Sequence, residues 1–323
     1  LSLLGLTLPQ VLAAEARARL DQLAPCEPGR APEACAHEFI ARTGARAYRR
    51  PLTEDEANGL SELYKAGAEG AAYADGIELV LRALLQSPSF LYVTELGAGP
   101  PVASGPTQLT DYELASQLSY LLTAGPPDEP LLTAAAAGAL ADPEERRRQL
   151  LRLRAEHPAS RDQLVRLLRE WLELDRSEIT AKDIAFYPTY EVYGALFARE
   201  SRDFIAAVLD ADAPAKGSDL QQLMAADWTV ADPLLAEFYA AQPRADGRLT
   251  LSARRGILNQ GAFLAVHAHA YESSPVLRGA AIARRVVCLP VPDPSTLGIR
   301  VMAPPTDPSL STRQRFSAHT ADP

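Results

Sequence analysis

Apolar residues recur at three- and four-residue intervals along most of this chain, the spacing that builds one face of an α-helix. Residues 9–24 open with Pro9 and place Val11, Leu12, Leu20 and Leu23 at roughly that interval. Residues 35–48 turn Phe39 and Ile40 inward and their arginines outward. Thr53-Glu54-Asp55-Glu56 has the form of a capping box: the Thr53 hydroxyl accepts from the backbone N–H three residues on, and Glu56 reaches back. It predicts a helix to about Gly67. Residues 73–86 follow, with Ile77, Val80, Leu81, Leu84 and Leu85 on one side, and Ser87-Pro88 opens a short turn that ends in Phe90, Leu91 and Tyr92.

The periodicity lapses at residues 97–108, GAGPPVASGPTQ, which read as a linker. Thr110 and Glu113 form a second capping box, whose helix stops at Gly125-Pro126-Pro127. Further helices are predicted at 128–139, from Asp142-Pro143 to about Arg154, and at 160–174, with Leu164, Leu167, Leu168 and Trp171 buried. A long amphipathic helix runs from Tyr187-Pro188 to Leu209. Shorter ones are expected at LQQLMAA, from Asp232-Pro233 to about Ala240, across 254–266, and from Ser274-Pro275 to Cys288. Beyond Pro290 the prolines at 292, 294, 304, 305 and 308 leave an extended tail. Strand signals are weak throughout. The expected fold class is all-α, a multi-helix bundle array with a proline-rich extended C-terminal tail.

A chain of 323 residues is too long for one ordinary core and implies two or three packed units. Its net charge of −9 argues against nucleic acid, which needs a dense basic face. The arginine groups at 42–50 and 146–148 read as solvated helix faces. No apolar run reaches the roughly 18–20 residues of a transmembrane segment. The first residues resemble a signal core but lack a basic start, and the chain begins at Leu1, so it reads as a fragment or processed product whose opening residues form a buried helix.

Cys26 and Cys35 flank a polar, turn-rich loop, a spacing that suits a local disulfide and hence export; two free buried thiols are the alternative. Cys288 is left as a buried thiol or one with a partner beyond Pro323. On an extended segment His267 and His269 share a face and could bind one metal, with Glu272 or His319 as a third ligand; otherwise they are polar loop histidines. Ser274 and Arg278 open a helix whose first turn could contact an anion or cofactor, or they serve capping alone. Carboxylate pairs such as Glu170/Glu173 sit on polar helix faces. The common nucleotide, nucleophile-elbow, zinc and calcium motifs are absent, and no CxxCH haem-attachment motif occurs.

Several long motifs stand in a fixed order: the cysteine pair with FIARTGARAYRRPLTEDE and ALLQSPSFLYVTE; LTDYELASQLSYLLTAGPPDEPLL, REWLELD and the region of Phe186-Tyr187-Pro188; then residues 254–294 and TRQRFSAHTADP. With these the chain resembles exported bacterial multidomain proteins built of domain-of-unknown-function families 1595, 1592 and 1588, often cytochrome c–associated. The resemblance implies an N-terminal helical domain over 1–96, a linker over 97–108, a central helical domain over 109–230 and a C-terminal helical domain with tail over 231–323, truncated before a CxxCH segment. It implies no cofactor within this chain and haem c in the parent beyond Pro323. It supplies no catalytic residues.

Three functions compete. The first is a periplasmic or otherwise exported module that supports electron transfer or packs around a downstream haem-bearing domain, with His319 near the haem and Met302 a weaker axial candidate. The second is a non-catalytic binding or scaffold module at the cell envelope for a glycan or protein partner. Tyr187, Tyr190 and Tyr193 could then form a stacking stripe; the alternative for the three is core. The third is a metal-assisted hydrolase using His267 and His269.

Overall fold

Both capping boxes form as the sequence spells them. Thr53 Oγ1 accepts from the Glu56 amide at 3.3 Å while Glu56 accepts from the Thr53 amide at 2.8 Å. Thr110 and Glu113 repeat the arrangement at 3.2 and 2.8 Å. The computed structural model describes residues 8–99, 105, 107–210, 219–252, 254–292, 296 and 309–317. The fold is all-α apart from one small sheet. It divides into two compact units, Leu1–Ser160 and Arg161–Pro323, a boundary that falls inside the stretch 109–230.

The first unit holds α1 (Leu8–Ala18), α2 (Leu20–Leu23), α3 (Pro32–Tyr48), α4 (Glu54–Ala68), α5 (Tyr73–Gln86), α6 (Pro88–Leu91), α7 (Asp111–Thr123), α8 (Glu129–Ala136) and α9 (Pro143–Glu156). Phe39, Ile40, Leu60, Tyr64, Ile77, Val80 and Leu84 form the core of α3–α5. These helices approach closely because Gly76 lies against Tyr64, where an added Cβ would meet the ring at 2.6 Å. The Cys26–Cys35 disulfide forms, with Cα atoms 5.5 Å apart, and closes the loop before α3. Arg49 ends α3 in the left-handed conformation, φ 59°, and is only 6% exposed. Its guanidinium donates to the carbonyls of Ser89 and Tyr92 at 2.7 Å each and of Phe90 at 3.4 Å, satisfying the open end of α6.

The second unit begins with α10 (Ser160–Trp171), followed by α11 (Tyr190–Leu209), α12 (Asp219–Ala225), α13 (Pro233–Phe238), α14 (Gly261–Val266), α15 (Pro275–Ala281) and α16 (Thr312–Ser317). Phe197, Phe204 and Ile205 of α11 centre its core with Leu172, Leu174, Leu235, Ile257 and Phe263. A three-stranded antiparallel sheet in the order β1-β3-β2 joins β1 (Trp228–Thr229), β2 (Gln242–Pro243) and β3 (Leu249–Thr250), with Thr250 opposite both Trp228 and Gln242. Trp228 packs on Phe204 with ring centres 5.0 Å apart. Trp171 and Arg285 exchange hydrogen bonds: the indole N–H donates to the Arg285 carbonyl at 2.7 Å, and the guanidinium donates to the Trp171 carbonyl at 2.9 Å.

Several expectations change. The continuous helix across 254–266 is a short 3₁₀ turn, Ile257–Asn259, and then α14. Gly256 breaks the period at φ 60° and ψ −179°, pressed so closely on Met224 that a Cβ would lie 2.1 Å from its carbonyl oxygen. The helix expected to reach Cys288 passes at Ile282 into a π turn, and Cys288 is an exposed free thiol rather than a buried one. Leu167 is exposed rather than buried. The long helix starts at Tyr190, leaving Tyr187 and Pro188 in the preceding loop. No helix among the described residues is long and apolar enough to cross a membrane.

Candidate functional site

The second unit carries an open cleft of about 400 Å³ between the loop before α11, the helices α11, α13 and α14, and the loop that joins α14 to α15. Its walls are aromatic: Phe186, Tyr187, Tyr190, Tyr193, Phe197, Phe238 and Tyr239 all face it. Periodicity brings three of these together, because Tyr190, Tyr193 and Phe197 are three and four residues apart and share one face of α11. Phe238 and Tyr239 arrive from the end of α13, where Phe238 lies 4.7 Å from Tyr193 and Tyr239 stacks at 6.4 Å on Phe197. Phe186, Tyr187 and Phe238 are exposed. A solvent-open aromatic surface of this extent is the mark of a binding site.

The loop after α14 is strapped in place. Lys182 Nζ donates to the carbonyls of Ala265 at 2.8 Å, Ala268 at 3.2 Å and His269 at 2.9 Å, closing the end of α14 with a cation. Burial holds the Lys182 ammonium below the usual lysine range. The Asp183 amide donates to Ala270 at 3.0 Å, and His269 N–H to the Glu272 carbonyl at 2.9 Å. The geometry fixes His269 and presents it, exposed, in the cleft.

His267 has a different environment. It is 7% exposed, its ring lies 4.6 Å from that of Phe263, and it hydrogen-bonds to the Leu172 backbone. Burial lowers its pKa, and its Nε2 has no partner among the described residues. The two histidines therefore do not share a face: one packs in the core and the other lines the cleft. Among the described residues no group of three or more His, Cys, Asp or Glu side chains is placed to hold a metal ion. Glu272, the suggested third ligand, is ion-paired with Arg315 at 2.7 Å.

Ser274 and Arg278 also part company. The Ser274 hydroxyl accepts from the Leu277 amide at 3.3 Å and is buried as the cap of α15. Arg278 turns into the cleft. His319 and Met302 lie outside the described residues. The structure thus brings His269 and Arg278 together with the tyrosine stripe and leaves His267 and Ser274 out.

Beneath the cleft is a buried polar network that sequence reasoning missed. Glu200, 1% exposed, accepts from Tyr239 Oη and Thr229 Oγ1, each at 2.8 Å. Tyr239 Oη accepts from the Gly261 amide at 3.0 Å, Gln260 donates to Thr229 at 3.2 Å, and Ser201 donates to Gln260 at 3.0 Å. Desolvation pushes the Glu200 carboxyl up to about 7 and pushes Tyr239 far above the ordinary phenol. The signal was present in the sequence: Glu200 sits between Phe197 and Phe204, a carboxylate on an otherwise apolar helix face. Arg254 covers this network, its guanidinium 4.7 Å over the Tyr239 ring and anchored to the Asn259 carbonyl at 2.8 Å.

Three family models match the chain: PSD5, protein of unknown function (DUF1595), over residues 35–95; PSD4, protein of unknown function (DUF1592), over 109–240; and PSCyt3, protein of unknown function (DUF1588), over 254–323. They are the families that the ordered motifs resemble. No curated protein and no solved structure matches the chain.

Proposed function

We propose that this chain, which carries the DUF1595, DUF1592 and DUF1588 segments in that order, is an exported binding module whose second unit holds a glycan in its aromatic cleft. One observation carries the reading: Tyr187, Tyr190 and Tyr193 line a single open cleft, Tyr187 exposed and the other two half-buried with one side against the core. Flat aromatic faces suit the C–H faces of sugar rings, and polar groups such as His269 and Arg254 at the same cleft suit their hydroxyls. The disulfide supports export, since cytosolic thiols stay reduced. We further take 1–96, 109–230 and 231–323 as domains in the evolutionary sense.

Affinity electrophoresis and calorimetry against a polysaccharide panel test the reading. The wild-type chain should bind at least one polysaccharide, and Tyr187→Ala should weaken that binding about tenfold at unchanged melting temperature. Absence of binding across the panel removes it.

The haem-linked reading keeps one specific observation in its favour. Val276, Val287 and Leu289 are exposed along the segment 275–289, an apolar surface suited to a following domain. No described residue is assigned to the haem, and His319 and Met302 lie outside the described region. A chain extended past Pro323 and produced with haem-maturation machinery should show a reducible c-type spectrum; a colourless product sinks this reading. Metal-assisted hydrolysis through His267 and His269 would require His267 to leave its pocket. Stoichiometric Zn, Fe, Cu or Mn in untagged protein is the result that would revive it.

A further inference from the structure

We propose that the ligand of this cleft is an anionic saccharide, one bearing a carboxylate or a sulfate, held by Arg278 and Arg254. The inference rests on the glycan reading and narrows it. Its basis is the distribution of charge.

The chain as a whole is acidic, at −9, yet the charged side chains lining the cleft are Lys182, Arg254 and Arg278 against the single carboxylate of Glu272. That carboxylate is already neutralised by Arg315. Lys182 directs its three donors at backbone carbonyls. Arg254 donates to the Asn259 carbonyl and lies over the Tyr239 ring, which leaves most of its five N–H groups without a partner among the described residues. Arg278 is half-buried and has no carboxylate or carbonyl partner among the described residues.

No nitrogen of the Arg278 guanidinium is buried without a partner, so its donors stay open to the cleft and to a ligand within it. Two guanidinium groups at one aromatic cleft supply what a carboxylate or sulfate requires, paired N–H donors, while the tyrosines supply the platform for the ring that carries it. Because the rest of the surface is acidic, such a ligand gains little from long-range steering. Its affinity depends on contacts inside the cleft, within a Debye length of the two arginines. Carboxylates and sulfates share this chemistry, and the test separates them.

The full chain is titrated by calorimetry with oligogalacturonate and its methyl-esterified form, and with a sulfated galactan and its desulfated form. The expected result is that at least one anionic member binds about tenfold or more tightly than its neutral counterpart, and that its affinity falls as salt rises from 50 to about 300 mM. Whichever pair shows the preference names the anion. Arg278→Gln should cut the preference at least severalfold at an unchanged melting temperature; Arg278→Lys should restore part of it. Equal binding of charged and neutral forms, or an anionic affinity indifferent to Arg278→Gln, overturns this inference and leaves the glycan reading standing. Binding of none of the four overturns the inference, and failure across the wider panel overturns the glycan reading with it.

Discussion

Tyr239 donates its phenolic proton to Glu200 at 2.8 Å, so that a wall of the cleft rests on a buried carboxyl. Burial raises that carboxyl from 4.5 to about 7, with Tyr239, Thr229 and the Arg254 charge pulling against the rise. Because the folded-state pKa is the higher one, the folded protein holds a proton that the unfolded chain has released. Stability in the second unit is therefore highest below the unfolded value and declines as pH rises from about 4.5 to about 7, by a total on the order of 3 kcal/mol. Glu200→Gln should flatten this slope and raise the melting temperature at pH 8 relative to pH 5. A wild-type slope retained in the Gln variant would contradict the assignment.

Gly256 tolerates no side chain. Its backbone conformation belongs almost only to glycine, and the Met224 carbonyl, not a movable side chain, occupies the space a Cβ would need. Gly256→Ala should destabilise the second unit by about 3 kcal/mol or more, read by urea unfolding.

Arg49 does for α6 what a cap usually does. Arg49→Lys keeps the charge but loses the fork that reaches the carbonyls of Ser89 and Tyr92 together. A loss of about 1–2 kcal/mol is expected for Lys and about 2–4 for Ala, which removes every bond of the fork. An Ala variant as stable as wild type would mean that water serves those groups equally well.

Glu56 has the opposite pH signature to Glu200. The paired hydrogen bonds from Arg50, with the capping bond from Thr53, hold its carboxyl near 2 despite the opposing effect of burial. A lowered folded value gives stability that is present above the unfolded pKa of about 4.5 and is lost as pH falls toward 2. Acid titration of Glu56→Gln, followed by dichroism, should show a weaker dependence on pH across that window than wild type.

What could be read from the sequence was local. Thr53 with Glu56, and Thr110 with Glu113, are complete within four residues, and the helix 73–86 is bounded as its pattern predicts. The break at Gly256 could not be read, because Met224 imposes it from 32 residues away. The strands are two residues long and carry no alternation to detect. Half of the cleft was visible as the stripe Tyr187, Tyr190 and Tyr193. The other half, Phe238, Tyr239 and Arg254, joins it only through the chain reversal after α11. The HxH pair misled because its spacing promises a shared face only in extended backbone, whereas His267 is the C-terminal cap of α14.

Trp171 and Trp228 are the chain's two tryptophans, and both lie in residues 161–323, one tied to Arg285 and the other packed on Phe204. The molecule thus carries a native optical label on one half only. Tryptophan emission follows the melting of the cleft-bearing unit, whereas far-ultraviolet dichroism follows the helices of both. Coincident transitions would mean that the halves unfold as one cooperative body; separated ones would give each half its own stability, without a single added probe.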